Sequence, residues 1–81
     1  MTQRDKLIAA LKARGETIVQ AKSIRYVVMT RKAGGFYYLG ASGACRFGRT
    51  VSESRPVNEG WKQQLLASAE IMRLVPEDIG L

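Results

Sequence analysis

Two glycine-bearing tetrapeptides, Lys32 to Gly35 (KAGG) and Gly40 to Gly43 (GASG), stand only four residues apart. Glycine reaches positive φ without steric cost, so both segments read as tight turns. The four residues between them, Phe36 to Leu39 (FYYL), are too few for a helix and rich in strand formers. The flanking stretches, Ile24 to Arg31 (IRYVVMTR) and Ala44 to Val51 (ACRFGRTV), have the same β-branched and aromatic character, with Gly48 a bulge position in the second. Turns this closely spaced force consecutive strands to double back on one another. The segment therefore predicts a three-stranded antiparallel meander. Glu16 to Ala21 (ETIVQA) would add a short fourth strand ahead of it.

Helical signals lie on both sides. Leu7, Ile8 and Leu11 form an apolar stripe within Thr2 to Arg14. Thr2 followed by Asp5 is a variant of the capping box, and Gly15 is a C-terminal stop. Ser52 to Gly60 reads as a polar loop broken by Pro56, and Asn58 can cap a second helix. Trp61, Leu65, Ala69 and Met72 then recur at helical spacing, with Leu66 and Arg73 alongside, until Pro76 ends the helix at about Val75. The expected order is α-β-β-β-α. Residues 1–75 make one compact α+β domain whose C-terminal helix packs on one face of the sheet, and residues 76–81 form a short acidic tail. A length of 81 residues suits a single domain.

Several chemistries are disfavoured by composition. The chain has no histidine and one cysteine, Cys45, which removes Ser-His and Cys-His nucleophiles, most zinc sites and any internal disulfide. The carboxylates Asp5, Glu16, Glu53, Glu59, Glu70, Glu77 and Asp78 fall mostly in first turns, loops or the tail, with no pair spaced for acid–base work. No enzymatic activity, cofactor or metal is expected. No apolar run approaches the roughly 20 residues that span a bilayer. With no secretory signal at the N-terminus, a cytoplasmic location is the expectation and a membrane partner is not.

Charge points to partners. Residues 1–55 carry eleven Lys/Arg against three Asp/Glu, a net +8, whereas residues 56–81 carry −2. A basic segment attracts polyanions, and it also keeps a protein soluble. If both turns are four-residue loops, strand alternation puts Val27, Met29, Phe36, Tyr38, Cys45, Phe47 and Val51 on one face, with Arg25, Arg31 and Arg49 near its ends. That face is the expected core. The opposite face would hold Ile24, Tyr26, Val28, Tyr37, Leu39, Ala44, Arg46 and Thr50, with Tyr37 beside Arg46; a three-residue loop at ASG would flip the last strand. Tyr26 and Tyr37 are then candidates for stacking on bases, and Arg25, Arg31, Lys32, Arg46 and Arg49 for phosphate contacts. Tyr26 and Tyr37 would serve equally as rings beneath a helix, and the charged turn residues as a solvated tip.

The α-β-β-β-α order resembles that of the double-stranded-RNA-binding domain. That family opens its second helix with a basic Ser-Lys-Lys-type stretch, where this chain has NEGWKQQ with only Lys62. The likeness is therefore one of element order, and no residue role carries over. The run FYYLGASGACRFGRTVSESRPV, about a quarter of the chain, is similar to stretches in small uncharacterised proteins of phages and mobile elements. That resemblance implies a regulatory or inhibitory binding protein. The leading expectation is a small basic module that binds nucleic acid, DNA or RNA. The alternative is a protein-interaction module that grips an acidic partner surface as an inhibitor, or that forms a homodimer or a structural component of a larger assembly.

Overall fold

A computed structural model describes residues 2–20 and 26–71. Helix α1 (Gln3–Ala13) is followed by strands β1 (Ile18–Gln20), β2 (Tyr26–Thr30), β3 (Phe36–Gly40), β4 (Cys45–Gly48) and β5 (Arg55–Pro56), and then by helix α2 (Glu59–Ile71). The five strands form one antiparallel sheet in the order β1-β2-β3-β4-β5, with β1 and β5 at its edges among the described residues. The α+β class is as expected, with more strands. The expected strand Glu16 to Ala21 is realised as β1 over Ile18–Gln20, and Ala21 lies outside the described residues. The loop around Pro56 contributes β5. Proline has no N–H to give, and it sits here on an edge where only one side of the strand needs pairing. The order α-β-β-β-α, on which the likeness to the double-stranded-RNA-binding domain rested, is thus not the order found. The expected continuation of α2 to Val75, the 76–81 tail and the positions of Ile24 and Arg25 lie outside the described residues.

Both ends of α1 follow from local chemistry. Thr2 Oγ1 accepts from Asp5 N at 3.1 Å and Asp5 Oδ2 accepts from Thr2 N at 3.3 Å, a reciprocal capping box. At the other end Glu16 N donates to Leu11 O and Gly15 N to Lys12 O, a Schellman closure that requires the left-handed φ of +97° at Gly15. The start of α2 is capped by Asn58 Oδ1, which accepts from Trp61 N at 3.1 Å.

The core lies between the two helices and one face of the sheet. Leu7, Ile8 and Leu11 of α1 meet Val27, Met29, Leu39 and Cys45 of the sheet and Leu65, Leu66 and Ala69 of α2. Each large aliphatic side chain buried in this way contributes about 1.5–3 kcal/mol relative to an exposed one.

The register corrects the assignment of faces. Thr30 pairs with Phe36 and Leu39 with Cys45, so each connection has five residues rather than four. One added residue inverts every side chain of the next strand. Tyr37 and Leu39 therefore share the helix-facing side with Val27 and Met29, and Phe36 and Tyr38 face away from the helices. The second five-residue connection inverts the chain again, which returns Cys45 and Phe47 to the core side as expected. Val51 lies beyond the end of β4 and is exposed.

The outer face is partly closed by the chain after β4. Tyr38 is buried there, and its hydroxyl donates to Gly48 O at 3.2 Å. Arg46, its cross-strand partner, donates through Nε to Ser54 Oγ at 2.9 Å and through Nη2 to Ser54 O at 2.5 Å. Ser54 is itself buried and anchored by its hydroxyl to Val51 O at 2.6 Å.

Candidate nucleic-acid interface

The end of α1 and the tip of the β2–β3 hairpin are tied together by two hydrogen bonds. Glu16, a buried carboxylate just past the helix, accepts from Lys32 N through Oε2 at 2.9 Å. Lys32 Nζ donates to Arg14 O at 2.9 Å, placing a cation on the free carbonyls at the negative end of the helix. The tie brings Arg14, at the C-cap of α1, and Arg31, at the start of the hairpin loop, to the same end of the molecule.

Between these two cations stand three rings. Tyr37 of β3 stacks on Trp61 of α2, with centroids 5.7 Å apart and planes inclined by 22°. The guanidinium of Arg14 lies 5.9 Å from the Trp61 ring centroid. That of Arg31 lies 4.5 Å from the Phe47 centroid and 5.9 Å from that of Tyr37. All four separations are within the range in which a ring quadrupole attracts a cation or a second ring. Arg31 Nη1 also donates to Gly34 O at 2.9 Å, which fixes the guanidinium over the rings. Burial pushes the Tyr37 hydroxyl above its ordinary pKa, opposed by the positive charge of Arg31. The phenol therefore stays neutral at physiological pH and can both donate and accept.

A cleft of about 250 Å³ opens beside this stack, lined by Arg14, Arg31, Tyr37, Phe47, Val57, Asn58 and Trp61. Two neighbouring hollows adjoin it. One, of about 420 Å³, runs between the helices past Ala10, Gln64 and Ser68; the other, of about 410 Å³, reaches Glu16, Lys32 and Ala33. Arg14 lines all three. Neither Arg14 nor Arg31 is paired with a carboxylate among the described residues. The arrangement is a recess of flat apolar walls with unneutralised guanidinium groups at its rim, which suits a flat, electron-rich, anionic ligand.

The residues expected to act together are thus divided. Arg31, Lys32 and Tyr37 gather at this end of the helix-facing side. Tyr26 is 37 % exposed on the outer face, at the far end of the β2–β3 ladder from the hairpin tip. Arg46 shares that outer face but is engaged by Ser54, and its cross-strand neighbour is Tyr38, not Tyr37. Arg49 is exposed in the turn after β4. Arg25 lies outside the described residues. Arg14, Phe47 and Trp61, which sequence reasoning left to the helix end and the core, complete the cluster instead. A sequence signal for Trp61 did exist. The sole tryptophan stands in the first turn after a capping asparagine, where a helix end rather than a helix middle meets the sheet.

No helix among the described residues is long and apolar enough to cross a membrane. No family model matches this chain, and neither a curated protein nor a solved structure does.

Proposed function

We propose that the chain is a small, basic, non-enzymatic binding module of the cytoplasm that takes nucleic acid at the end of the molecule where Arg14, Trp61, Tyr37, Arg31 and Phe47 meet. The observation that carries this reading is the combination of three rings with two guanidinium groups that no carboxylate among the described residues neutralises, beside an open cleft. Rings supply stacking surface for bases, and guanidinium groups supply bidentate donors to phosphate oxygens. Lys32 adds a third cation at the margin of the same end. Arg49 and Tyr26 lie away from it and belong to a peripheral, non-specific contribution.

Fluorescence anisotropy with labelled DNA and RNA, single- and double-stranded, at two salt concentrations tests the reading. Affinity should fall as salt rises, with a slope of log K against log salt of about −0.7 to −0.9 for each phosphate neutralised. Exchanging Arg14 and Arg31 for glutamine should shallow that slope by the same amount per residue. Absence of binding at low salt would overturn the reading.

A second reading rests on Val19. It is 53 % exposed at an irregularity of the edge strand β1, where Ile18 pairs with Met29 and Gln20 with Val28. An apolar side chain on an open sheet edge suits association with another protein or a second copy. Light scattering distinguishes this reading, because a dimer dispersed by Val19→Lys would favour it.

A further inference from the structure

We infer that the nucleic acid accepted here is single-stranded, with one unpaired base entering the cleft beside the Tyr37–Trp61 stack; this deepens the reading above and rests on it. Shape is the first ground. In a duplex each base is stacked on both faces and paired along one edge, so a protein reaches it by projecting a helix, ribbon or loop into a groove. The rings here lie instead in a recess bounded by the end of α1, the start of α2 and the sheet. A ring of the ligand can meet them only after leaving its own stack.

Size points the same way. A cleft of about 250 Å³ falls below the roughly 300–1,000 Å³ usual for drug-sized ligands. A cleft of this size suits a single base. The two hollows that share Arg14 with it offer further recessed surface for the nucleotides on either side of that base.

Hydrogen-bonding polarity is the third ground. Arg14 and Arg31 can only donate. Asn58 already accepts from Trp61 N through its side-chain oxygen, and its two amide hydrogens are available as donors. Among the described residues no carboxylate lines the cleft, and only Tyr37 and the second lone pair of the Asn58 side-chain oxygen can accept there. Donors outnumber acceptors in the cleft, which favours a ligand rich in acceptors, as the oxygen and ring-nitrogen edges of an unpaired base and its flanking phosphates are.

Trp61 is the only tryptophan, so its emission reports on the cleft directly. The full chain is titrated at low salt with a twelve-nucleotide oligothymidylate, an oligouridylate of equal length, an abasic strand of equal length, and a duplex presenting the same number of phosphates. The single strands should quench Trp61 and bind about 5- to 150-fold more tightly than the abasic strand, the ratio that stacking of one base confers. The abasic strand isolates the base from its phosphates without altering the protein. Tyr37→Leu should abolish most of that ratio, while Arg31→Gln should leave the ratio and shallow the salt dependence, each with circular dichroism confirming the fold. A duplex that binds as tightly as the single strands, or an abasic strand equal to the intact one, would overturn the single-strand inference and leave the nucleic-acid reading standing. If no probe binds at low salt, the nucleic-acid reading fails and the inference fails with it.

Discussion

The guanidinium of Arg31 lies over the ring of Phe47, 4.5 Å from its centroid, so a residue at the hairpin tip is held by a residue two strands away. The contact couples the position of a ligand-facing cation to the packing of β4. Replacing Phe47 by leucine keeps an apolar side chain of similar reach and removes the ring. We expect a loss of about 0.5–2 kcal/mol in urea unfolding, the worth of a cation–π contact. Salt-dependent binding should weaken as well, because Arg31 is no longer fixed. Arg31→Lys should keep the charge yet weaken binding too, since lysine has no planar face to lay on the ring.

The tie between Glu16 and the hairpin gives a graded series. Glu16→Gln retains a side-chain oxygen for Lys32 N and should cost about 1 kcal/mol or less. Glu16→Ala removes the acceptor and should cost about 1–3 kcal/mol, the penalty of leaving a backbone donor unmet. Amide hydrogen exchange at Lys32 should quicken in the alanine variant alone. Equal exchange in both variants would show that the bond does not hold the loop.

Two adjacent glycines should respond differently to alanine. Gly34 has φ of +112° and a Cβ added there would meet nothing within 4 Å, so Gly34→Ala should cost about 1–2 kcal/mol from backbone conformation. Gly35 has φ of +77°, and a Cβ there would stand 2.7 Å from Gly48 O in the backbone of β4. Gly35→Ala should therefore cost more than Gly34→Ala by at least about 1 kcal/mol, because strand backbone cannot swing aside as a side chain can. Thermal unfolding of the two variants side by side checks the order.

Cys45 should be chemically quiet. Burial pushes its thiol up from 9.0 to about 11, with the charge of Lys62 opposing the shift. The folded state holds the proton more tightly than the unfolded chain does. The resulting stabilisation is complete below pH 9 and is lost as pH rises toward 11. Unfolding free energy should be flat with pH up to about 9 as far as this group is concerned, and then decline by about 2–3 kcal/mol. Cys45→Ala should remove that decline. Alkylation at pH 8 should be slow in the native protein and fast in denaturant.

The helices were legible because each announces itself twice, by an apolar stripe and by a cap. Thr2 with Asp5, Gly15 and Asn58 all act as their residue types suggest. The meander was legible because KAGG and GASG leave no room for anything but strands. What glycine content does not specify is which residue closes the ladder. Gly34 N donates to Arg31 O, and Gly43 N donates to Gly40 O, so each turn is nested inside a loop one residue longer than the turn motif itself. Each miscount of one inverts a strand, and two in succession cancel. That is why Cys45 and Phe47 fall where strand alternation puts them and Tyr37 does not. The cluster of Arg14, Tyr37 and Trp61 depends on that inversion and on the meeting of two helix ends, which no local pattern encodes. β5 is not legible in the sequence, because two residues containing a proline carry no alternation to read.

The strand order has a kinetic consequence. Every strand pairs with its neighbour in the chain, so the sheet can assemble by a succession of short closures. Topologies dominated by such local pairings cross their folding barrier quickly. The packing of α1 on α2 is the exception, because about 45 residues separate the end of one helix from the start of the other. During synthesis the apolar stripe of Leu7, Ile8 and Leu11 emerges well before its second wall, Leu65 and Leu66. Until then the first helix can lean only on an unfinished sheet, and that interval is when a nascent chain of this kind is most open to capture by a chaperone or by another copy of itself.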